Sequence, residues 1–312
     1  MNYEELLTST ALADDKYIVM TAENRALVRN IPQALGNRFI DTGITEQTMI
    51  GAAAGLALRG RVPVVHALTS FLTMRAFEFI RTDIGIPALP VKLSGFIPGF
   101  LSDGNGPTHQ ALEDISLMRG IPNMEVYAPA DEDDLTKMLP YIWSTPRPAY
   151  VRINTRTTDY IHADYEPGKA EIISTGTDIT FLTYGLMFEQ CLQAVHYLTQ
   201  EGKSVGLINL RSLKPFDEEA LLQAAASSEV LVTVEDHFLI GGLYSIVAET
   251  LLKHKTTADV IPFALSEKWF RPALLPSVLK HEGFTGKQIA ESILGYVIHE
   301  AAIEINASAF AE

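Results

Sequence analysis

Short apolar runs alternate with amphipathic stretches along the first half of this chain. Each apolar run has the length and the β-branched content of a buried strand, and polar residues, glycine or proline bound it. The predicted strands are Tyr17 to Glu23, Arg38 to Gly43, Val62 to Leu68, Pro90 to Gly95, Met124 to Pro129 and Ala149 to Asn154. Because helical patterns separate these runs, the sequence predicts a mostly parallel sheet with helices on both faces.

The pattern breaks between Arg156 and Gly176, where Thr, Asp, Tyr, Pro and Gly replace the apolar runs. It then resumes with predicted strands at Ile179 to Tyr184, Val205 to Leu210, Val230 to Glu235 and Val260 to Leu265, and with helices such as Leu186 to Glu201 and Asp217 to Ala225. We therefore expect an α/β protein of two domains, each with a twisted, mostly parallel sheet covered by helices. The expected division is residues 1–160, a linker at 161–176, and residues 177–312.

One carboxylate stands at the junction of a predicted strand and a helix. Glu46 follows the strand that ends near Gly43, in the first turn of a helix with Thr45 as the expected N-cap and Gly60 as the expected stop. The residues from Gly51 to Gly55 are all glycine or alanine, so another backbone or a ligand can approach closely. A glutamate there is most often only a favourable charge at the helix start, so a functional role needs further support.

That support comes from the loop Gly104-Asn-Gly-Pro-Thr-His109-Gln110, which leads into a predicted helix start at Glu113 and Asp114. Two glycines and a proline restrict the backbone around the histidine. A lone loop histidine is usually a surface residue, but a rigid loop gives this side chain a defined position. His109 is therefore the second candidate functional residue.

Three motifs in this order, DTGITEQ…GAAAGLALRG, TSFLTMRAFEFIR and GNGPTHQALED, closely resemble the pyrimidine-binding region of transketolases and 1-deoxyxylulose-5-phosphate synthases, which use thiamine diphosphate. The segment LRSLKPFD…VLVTVEDHFLIGGL resembles the carboxy-terminal domain of the same enzymes, in which the turn matching Glu235-Asp236-His237 supports the dimer and is not catalytic. These enzymes bind magnesium and the cofactor's diphosphate through a Gly-Asp-Gly…Asn-Asn signature on an amino-terminal domain, and this sequence has no such pair. The chain therefore resembles the second half of a split transketolase.

The resemblance implies cofactor-binding roles. Glu46 matches the glutamate that hydrogen-bonds the N1′ atom of the aminopyrimidine and favours the tautomer that removes the thiazolium C2 proton. Phe71 would stack on the aminopyrimidine, with Met74, Phe77 and Ile44 nearby. Packing in the core is an equal alternative for Phe71 and the stronger one for Phe77.

The resemblance also implies substrate-binding residues. His109 matches the histidine that contacts the donor sugar's oxygens, where charge develops during the reaction. The family usually has an aspartate where this chain has Asn105, with Asp103 two residues earlier. Since an amide cannot act as a base, we expect the donor specificity to differ from that of ordinary transketolases.

Two further positions are substrate candidates with structural alternatives. Arg152 falls near the arginine that holds the substrate phosphate, and Arg156 is the alternative position. Either arginine could instead pair with a carboxylate where the domains meet. His66, at the end of a predicted strand, would point to the pocket edge, although a hydrogen-bonded core histidine is the commoner case.

The resemblance implies thiamine diphosphate and Mg²⁺ as cofactors, with no metal ligand in this chain. A partner, the amino-terminal diphosphate-binding transketolase subunit, would supply the metal ligands in an α₂β₂ assembly that acts on sugars or sugar phosphates. The β subunit of a 2-oxoacid dehydrogenase is an alternative, but those subunits lack Gly-Pro-Thr-His. A half of a 1-deoxyxylulose-5-phosphate synthase and a non-catalytic partner chain on the same fold are the others.

Composition excludes several of the remaining classes of function and partner. The chain has 312 residues, 47% of them hydrophobic, which suffices for two packed cores. Its formal net charge of −14 argues against nucleic acid as a partner. The longest weakly polar run, Met49 to Leu58, is far shorter than the ~20 apolar residues of a membrane span, and the acidic start is unlike a signal peptide. We expect a cytoplasmic protein without membrane contact, with its one cysteine, Cys191, in the core.

Overall fold

Two twisted sheets form the frame of the molecule, as a computed structural model that describes residues 1–296 shows. The strands of this region, in chain order, are β1 (Tyr17–Thr21), β2 (Phe39–Asp41), β3 (Val62–Leu68), β4 (Lys92–Phe96), β5 (Glu125–Tyr127), β6 (Ala149–Ile153), β7 (Glu171–Ser174), β8 (Ile179–Thr183), β9 (Val205–Asn209), β10 (Ser212–Lys214), β11 (Val230–Phe238) and β12 (Asp259–Leu265). All ten predicted strands are present, with ends displaced by no more than three residues.

The first sheet has the order β10-β5-β6-β4-β3-β1-β2, and the second has the order β12-β11-β8-β9-β7. Neighbouring strands are parallel except at one edge of each sheet, where β10 and β7 run antiparallel to β5 and β9. β1, β6, β8 and β9 are buried along their whole length, as expected for strands covered by helices on both faces. The prediction of an α/β protein with two mostly parallel sheets is confirmed.

The sequence did not predict the two antiparallel edge strands. β7 lies inside the stretch that we expected to be an irregular linker. β10 comes from the second half of the chain but joins the first sheet beside β5, so one strand crosses between the expected domains. The last part of the predicted second domain, residues 297–312, lies outside the described residues.

Helices cover both sheets. They are α1 (Tyr3–Ala13), α2 (Ile31–Leu35), α3 (Glu46–Leu58), α4 (Phe77–Phe79), α5 (Asp114–Arg119), α6 (Glu132–Ser144), α7 (Met187–Gln200), α8 (Glu218–Ser227), α9 (Leu243–His254) and α10 (Leu275–Glu282), and residues 286–296 are also helical. On either side of α4, Phe71–Arg75 and Ile80–Gly85 form π-helical turns. Within residues 1–296, no helix combines the length and the apolar character that crossing a bilayer requires.

Helix α3 places the first candidate residue. It begins at Glu46, as predicted, and Gly60 follows its end with a φ of +80°, a left-handed conformation that glycine adopts easily. Thr45 occupies the N-cap position with a non-helical backbone, but its side chain makes no capping bond and donates to Thr42 O instead. The expected cap bond is therefore absent, and the amide groups of the first turn remain available beside Glu46.

One buried apolar cluster joins the two sheets. It contains Ile50 of α3 and Leu93 of β4 together with Leu182 of β8 and Leu231 of β11. Because the same core continues through both halves of the chain, packing fixes their relative position, in addition to the segment 161–176 that connects them.

Candidate active site

Glu46 is buried although it opens a helix. The residue is only 1% exposed. Its Oε2 atom accepts a hydrogen bond of 2.8 Å from Nη1 of Arg75, and Oε1 accepts none from the residues that the structure describes. A buried carboxylate with one unbonded oxygen can accept a proton or a hydrogen bond from a molecule that enters beside it.

Arg75 and Phe71 are brought together by the π-helical turn that follows β3. Since such a turn contains more than four residues, side chains four positions apart lie nearly above one another. The guanidinium carbon of Arg75 is 4.3 Å from the centre of the Phe71 ring, which is within the range of a cation–π contact. Arg75, which the sequence did not single out, therefore connects Glu46 with Phe71.

His109 approaches the same aromatic ring from the loop before α5. The ring centres of Phe71 and His109 are 5.0 Å apart, with the planes inclined by 62°. Nδ1 of His109 lies 2.9 Å from Oγ1 of Thr108, and the backbone amide of His109 donates to Gly106 O. The structure thus brings Glu46, Phe71 and His109 into one group, although the first and the last are more than sixty residues apart in the sequence.

The second half of the chain holds this loop in place. Nε2 of Gln110 donates to Phe270 O at 2.8 Å, and Oδ2 of Asp103 accepts from the amide of Leu275 at 2.9 Å. The other oxygen of Asp103 accepts from the amide of Gly104. Asp103, a predicted substrate-binding residue, therefore anchors the loop. Asn105 is exposed at the loop surface and stays the candidate for a sugar hydroxyl.

The other predicted cofactor residues differ in exposure. Ile44 is 66% exposed in the loop before α3, and Met74 is half-buried in the same π-helical turn as Phe71. Phe77 packs against the core cluster that joins the sheets, which was the stronger alternative for it. The cofactor role of Ile44 and Met74 stays a prediction.

His66 does not face an open pocket. It is 2% exposed in β3, where its Nδ1 donates to Met20 O at 3.0 Å and its Nε2 accepts from the Tyr3 hydroxyl at 2.7 Å. Burial lowers the pKa of His66 to about 4, so the ring is neutral at pH 7. The substrate-binding interpretation of His66 is corrected here, because both ring nitrogens are satisfied inside the core.

Arg152 is likewise enclosed. It is 2% exposed, with Nε 3.0 Å from Oδ2 of Asp114 in α5 and Nη1 2.5 Å from Oδ1 of Asp236 in β11. It therefore forms the interdomain ion pair that the sequence left open as the alternative, and its guanidinium has no room for a substrate phosphate. Arg156 is exposed, and its side chain pairs with no carboxylate within residues 1–296.

Asp236 belongs to the Glu235-Asp236-His237 segment, which the resemblance implied to be a turn but which lies within strand β11 and is buried along its whole length. Oε2 and Oε1 of Glu235 accept from the amides of Leu243 and Tyr244 at the start of α9. Burial raises the pKa of Glu235 to about 7 and lowers that of His237 to about 4. These contacts lie inside the second domain and at its boundary with the first domain. We call this boundary, where Arg152 and Asp114 meet Asp236, the seam. The contacts fit a structural role.

A second buried charge cluster at the seam was not anticipated. His162 lies between Glu171, 2.6 Å from Nδ1, and Asp131, 3.4 Å from Nε2. Arg211 pairs with Asp134 at 2.8 Å and with Glu171 at 3.0 Å. Burial alone would lower the pKa of His162, but the neighbouring carboxylates of Asp131 and Glu171 outweigh that effect and raise the pKa to about 9. The cluster joins the start of α6, the segment before β7, the first residue of β7 and the link between β9 and β10.

Comparison with known proteins gives a consistent result. Residues 4–159 match the family model described as transketolase, pyrimidine binding domain, and residues 168–289 match the model for the transketolase C-terminal domain. The chain is similar to a 6-deoxy-6-sulfo-D-fructose transketolase subunit of Clostridium sp. (strain MSTE9), with 37% identity over 254 residues, 80% of this chain and 79% of that protein. It is also similar to a putative transketolase C-terminal section of Methanocaldococcus jannaschii, with 34% identity over 262 residues, 82% of each chain.

A solved structure, described as "Split gene transketolase, inactive beta4 tetramer", superposes with a TM-score of 0.85 and 30% identity, covering 94% of this chain and 96% of that one. The likeness therefore extends over nearly the full length of both chains.

Proposed function

The chain belongs to the transketolase family, of which it carries the pyrimidine-binding and carboxy-terminal domains, and we propose that it is one subunit of a two-subunit transketolase dependent on thiamine diphosphate. The proposed reaction is the transfer of a two-carbon ketol unit from a ketose or ketose phosphate to an aldose acceptor. One observation carries the proposal. Within residues 1–296, Glu46 is buried, keeps one carboxylate oxygen unbonded, and lies beside the grouped rings of Phe71 and His109.

The residues around Glu46 fit the aminopyrimidine ring of the cofactor. A flat heterocycle with a basic ring nitrogen needs a carboxylate that water does not reach and an aromatic surface to stack on. Oε1 of Glu46 offers the first, and the half-buried ring of Phe71 offers the second. When bound, thiamine diphosphate supplies the carbon nucleophile for ketol transfer.

Glu46 and His109 would handle the protons and charges of the reaction. Glu46 holds a proton at the ring nitrogen of the cofactor, and its burial excludes water that would compete for that proton. His109 contacts Thr108 through Nδ1, which leaves Nε2 for the oxygens of the sugar. A donor aimed at an oxygen where charge develops lowers the barrier.

Substrate selection would involve Asn105 and Arg156. Asn105 is exposed on the His109 loop, where its amide suits a sugar hydroxyl. The exposed guanidinium of Arg156 suits a phosphate or a sulfonate at the far end of the sugar. The name of the Clostridium relative makes a sulfonated ketose a donor to test beside the sugar phosphates.

The partner in this proposal is a diphosphate-binding transketolase subunit, in an α₂β₂ assembly. Mg²⁺ favours six oxygen ligands in octahedral order, and the signature that binds it in this family does not occur in this sequence. The relative of known structure is described as an inactive β₄ tetramer, which supports the expectation that such a chain is not active by itself. The partner would supply the magnesium and diphosphate contacts.

The test compares this chain alone, this chain with a diphosphate-binding subunit, and the same complex with Glu46→Gln. We expect ketol transfer only by the unmodified complex, with turnover reduced by about 10²-fold or more in the variant because proton exchange with the cofactor is lost. Glu78→Gln, at an exposed position of α4, is the matched control and should keep its activity.

Near-normal turnover by the Glu46→Gln complex would refute the proposal. Consumption of pyruvate in place of a ketose would point to a deoxyxylulose-phosphate synthase or a 2-oxoacid dehydrogenase.

A further inference from the structure

The side chain of Arg75 makes two contacts inside the candidate site. Nη1 donates to Oε2 of Glu46 at 2.8 Å, and the guanidinium lies over the Phe71 ring at 4.3 Å from its centre. Among the described residues, no other side chain donates a hydrogen bond to Glu46. Arg75 therefore controls how this carboxylate is held.

The pairing is asymmetric in its exposure. The Glu46 side chain is 2% exposed and that of Arg75 is 40% exposed, so the arginine lies on the open side of the carboxylate. The contact joins α3 to the π-helical turn at Phe71–Arg75, two elements that meet only in the folded chain. A charge-assisted hydrogen bond of this length restricts rotation of the carboxylate.

We propose that Arg75 is a positioning residue for Glu46, which it holds by Oε2 so that Oε1 faces the cofactor ring, while its guanidinium braces the Phe71 ring. The inference rests on the proposed function. Arg75 itself transfers no proton to substrate or cofactor. Its effect comes from the orientation of two groups that contact the cofactor, and misplacement of a reacting group by about 1 Å can cost about 10²-fold in rate.

The same geometry permits a competing interpretation. A guanidinium is flat, donates a hydrogen bond to Glu46 and stacks on Phe71, which are the contacts that the aminopyrimidine would make. If Arg75 only occupied that place, the cofactor would have to displace it, and removing the arginine would strengthen cofactor binding. The two interpretations therefore predict different results when Arg75 is removed: slower catalysis at nearly unchanged cofactor affinity if it positions Glu46, and tighter cofactor binding if it only occupies the place of the ring.

The experiment uses the complex with the diphosphate-binding subunit and compares Arg75→Met, Arg75→Lys and the control Arg81→Met. Arg81 is exposed on the same irregular helix and makes no side-chain hydrogen bond or ion pair within residues 1–296. Four quantities are measured: thiamine diphosphate affinity by titration calorimetry, the rate of exchange of the cofactor's C2 hydrogen for deuterium, and kcat and KM for the sugar donor.

For Arg75→Met we expect C2 exchange and kcat to fall by about 10- to 100-fold, with KM for the sugar unchanged and cofactor affinity altered by less than about threefold. Arg75→Lys should recover part of the loss, since an ammonium can still donate to Glu46 but cannot lie flat on Phe71. Arg81→Met should match the unmodified complex in every measurement.

Unchanged C2 exchange in Arg75→Met, with an unchanged melting temperature, would overturn the inference. A gain of tenfold or more in cofactor affinity, about 1.4 kcal/mol, would also overturn it in favour of displacement. The variant Glu46→Gln distinguishes a failure of the proposed function from a failure of the positioning role of Arg75. Normal exchange in that variant refutes the proposed function, whereas lost exchange there with normal exchange in Arg75→Met refutes only the role of Arg75.

Discussion

The charged groups of the seam between the domains and of the candidate active site are paired in different ways. At the seam, Arg152 is surrounded by Asp114 and Asp236, and all three residues are 2% exposed or less. In the candidate active site, Glu46 is as deeply buried, but its partner Arg75 is 40% exposed and one carboxylate oxygen accepts no hydrogen bond from the described residues. The seam ions have all their partners within the chain and hold the two domains together, whereas Glu46 keeps one oxygen available to a ligand.

The difference has an energetic basis. Taking a charge out of water is costly, and a buried ion pair offsets that cost only when its geometry is good and its remaining polar atoms are bonded. At the seam, Asp114 also accepts from the Tyr150 hydroxyl at 2.5 Å, and Asp236 accepts from the amide of Phe100 at 3.2 Å. Glu46 has no such additional donors in the described part of the chain, so its stabilisation depends more on what binds beside it.

The strongest test of the comparison is Arg152→Met. The methionine keeps most of the stem but leaves Asp114 and Asp236 buried without a cation, so we expect the free energy of unfolding to fall by about 3–5 kcal/mol. Urea unfolding of the purified chain measures it. Arg156→Met, four positions away and exposed, is the control. A loss below about 1 kcal/mol in Arg152→Met would mean that the seam ions do not hold the domains together.

A pH series sharpens the comparison at the other seam cluster, where His162 faces Asp131, Glu171, Asp134 and Arg211. The pKa of His162 is raised from 6.5 to about 9. The stabilisation that the protonated ring gives the folded state is therefore complete below pH 6.5 and is lost as the pH rises through 9. The shift corresponds to about 3 kcal/mol. We expect the difference in unfolding free energy between the unmodified chain and His162→Gln to shrink by about this amount between pH 6.5 and pH 9.5. A constant difference over that range would contradict the assignment.

The smallest structural effect should come from Arg156→Met, made in the proposed complex with the diphosphate-binding subunit. Because the side chain is exposed and unpaired in the described residues, we expect no measurable change in stability. If it binds the anionic end of the substrate, KM for a phosphorylated or sulfonated donor should rise by about tenfold while kcat changes little. The KM for a neutral sugar donor should show no such rise. If Arg156→Met left the KM for the charged donors unchanged as well, Arg156 would not belong to the site.

Much of the fold was predictable because the strands are apolar runs separated by helical patterns. β3, for example, has the predicted ends, Val62 and Leu68. The missed strands β7 and β10 are only four and three residues long and contain charged or hydroxyl side chains, so no apolar run marks them. Short antiparallel edges depend on the neighbouring strand more than on their own sequence.

The site was predictable in part. Glu46 and His109 follow from motif resemblance, and the spacing of four residues between Phe71 and Arg75 is compatible with a helical contact. The bond from Arg75 to Glu46 could not be derived, because it depends on how α3 packs against the turn at Phe71–Arg75. For Arg152 a signal existed, since a charged residue in a strand buried on both faces must be paired. The sequence did not show which carboxylates pair with it.

Strand β10 limits how this protein could be divided or recombined. Ser212 and Lys214 pair with Tyr127 and Val126 of β5, and Nζ of Lys214 donates to Ile121 O at 2.6 Å. A proteolytic cut or a gene rearrangement that separated residues 1–160 from the remainder would remove the outermost strand from the first sheet. The backbone groups of β5 would then be unpaired at an exposed edge that could pair with another chain. Chimeras between relatives should therefore exchange both halves together. If only the first half were exchanged, its β5 would have to pair with the β10 of a different protein.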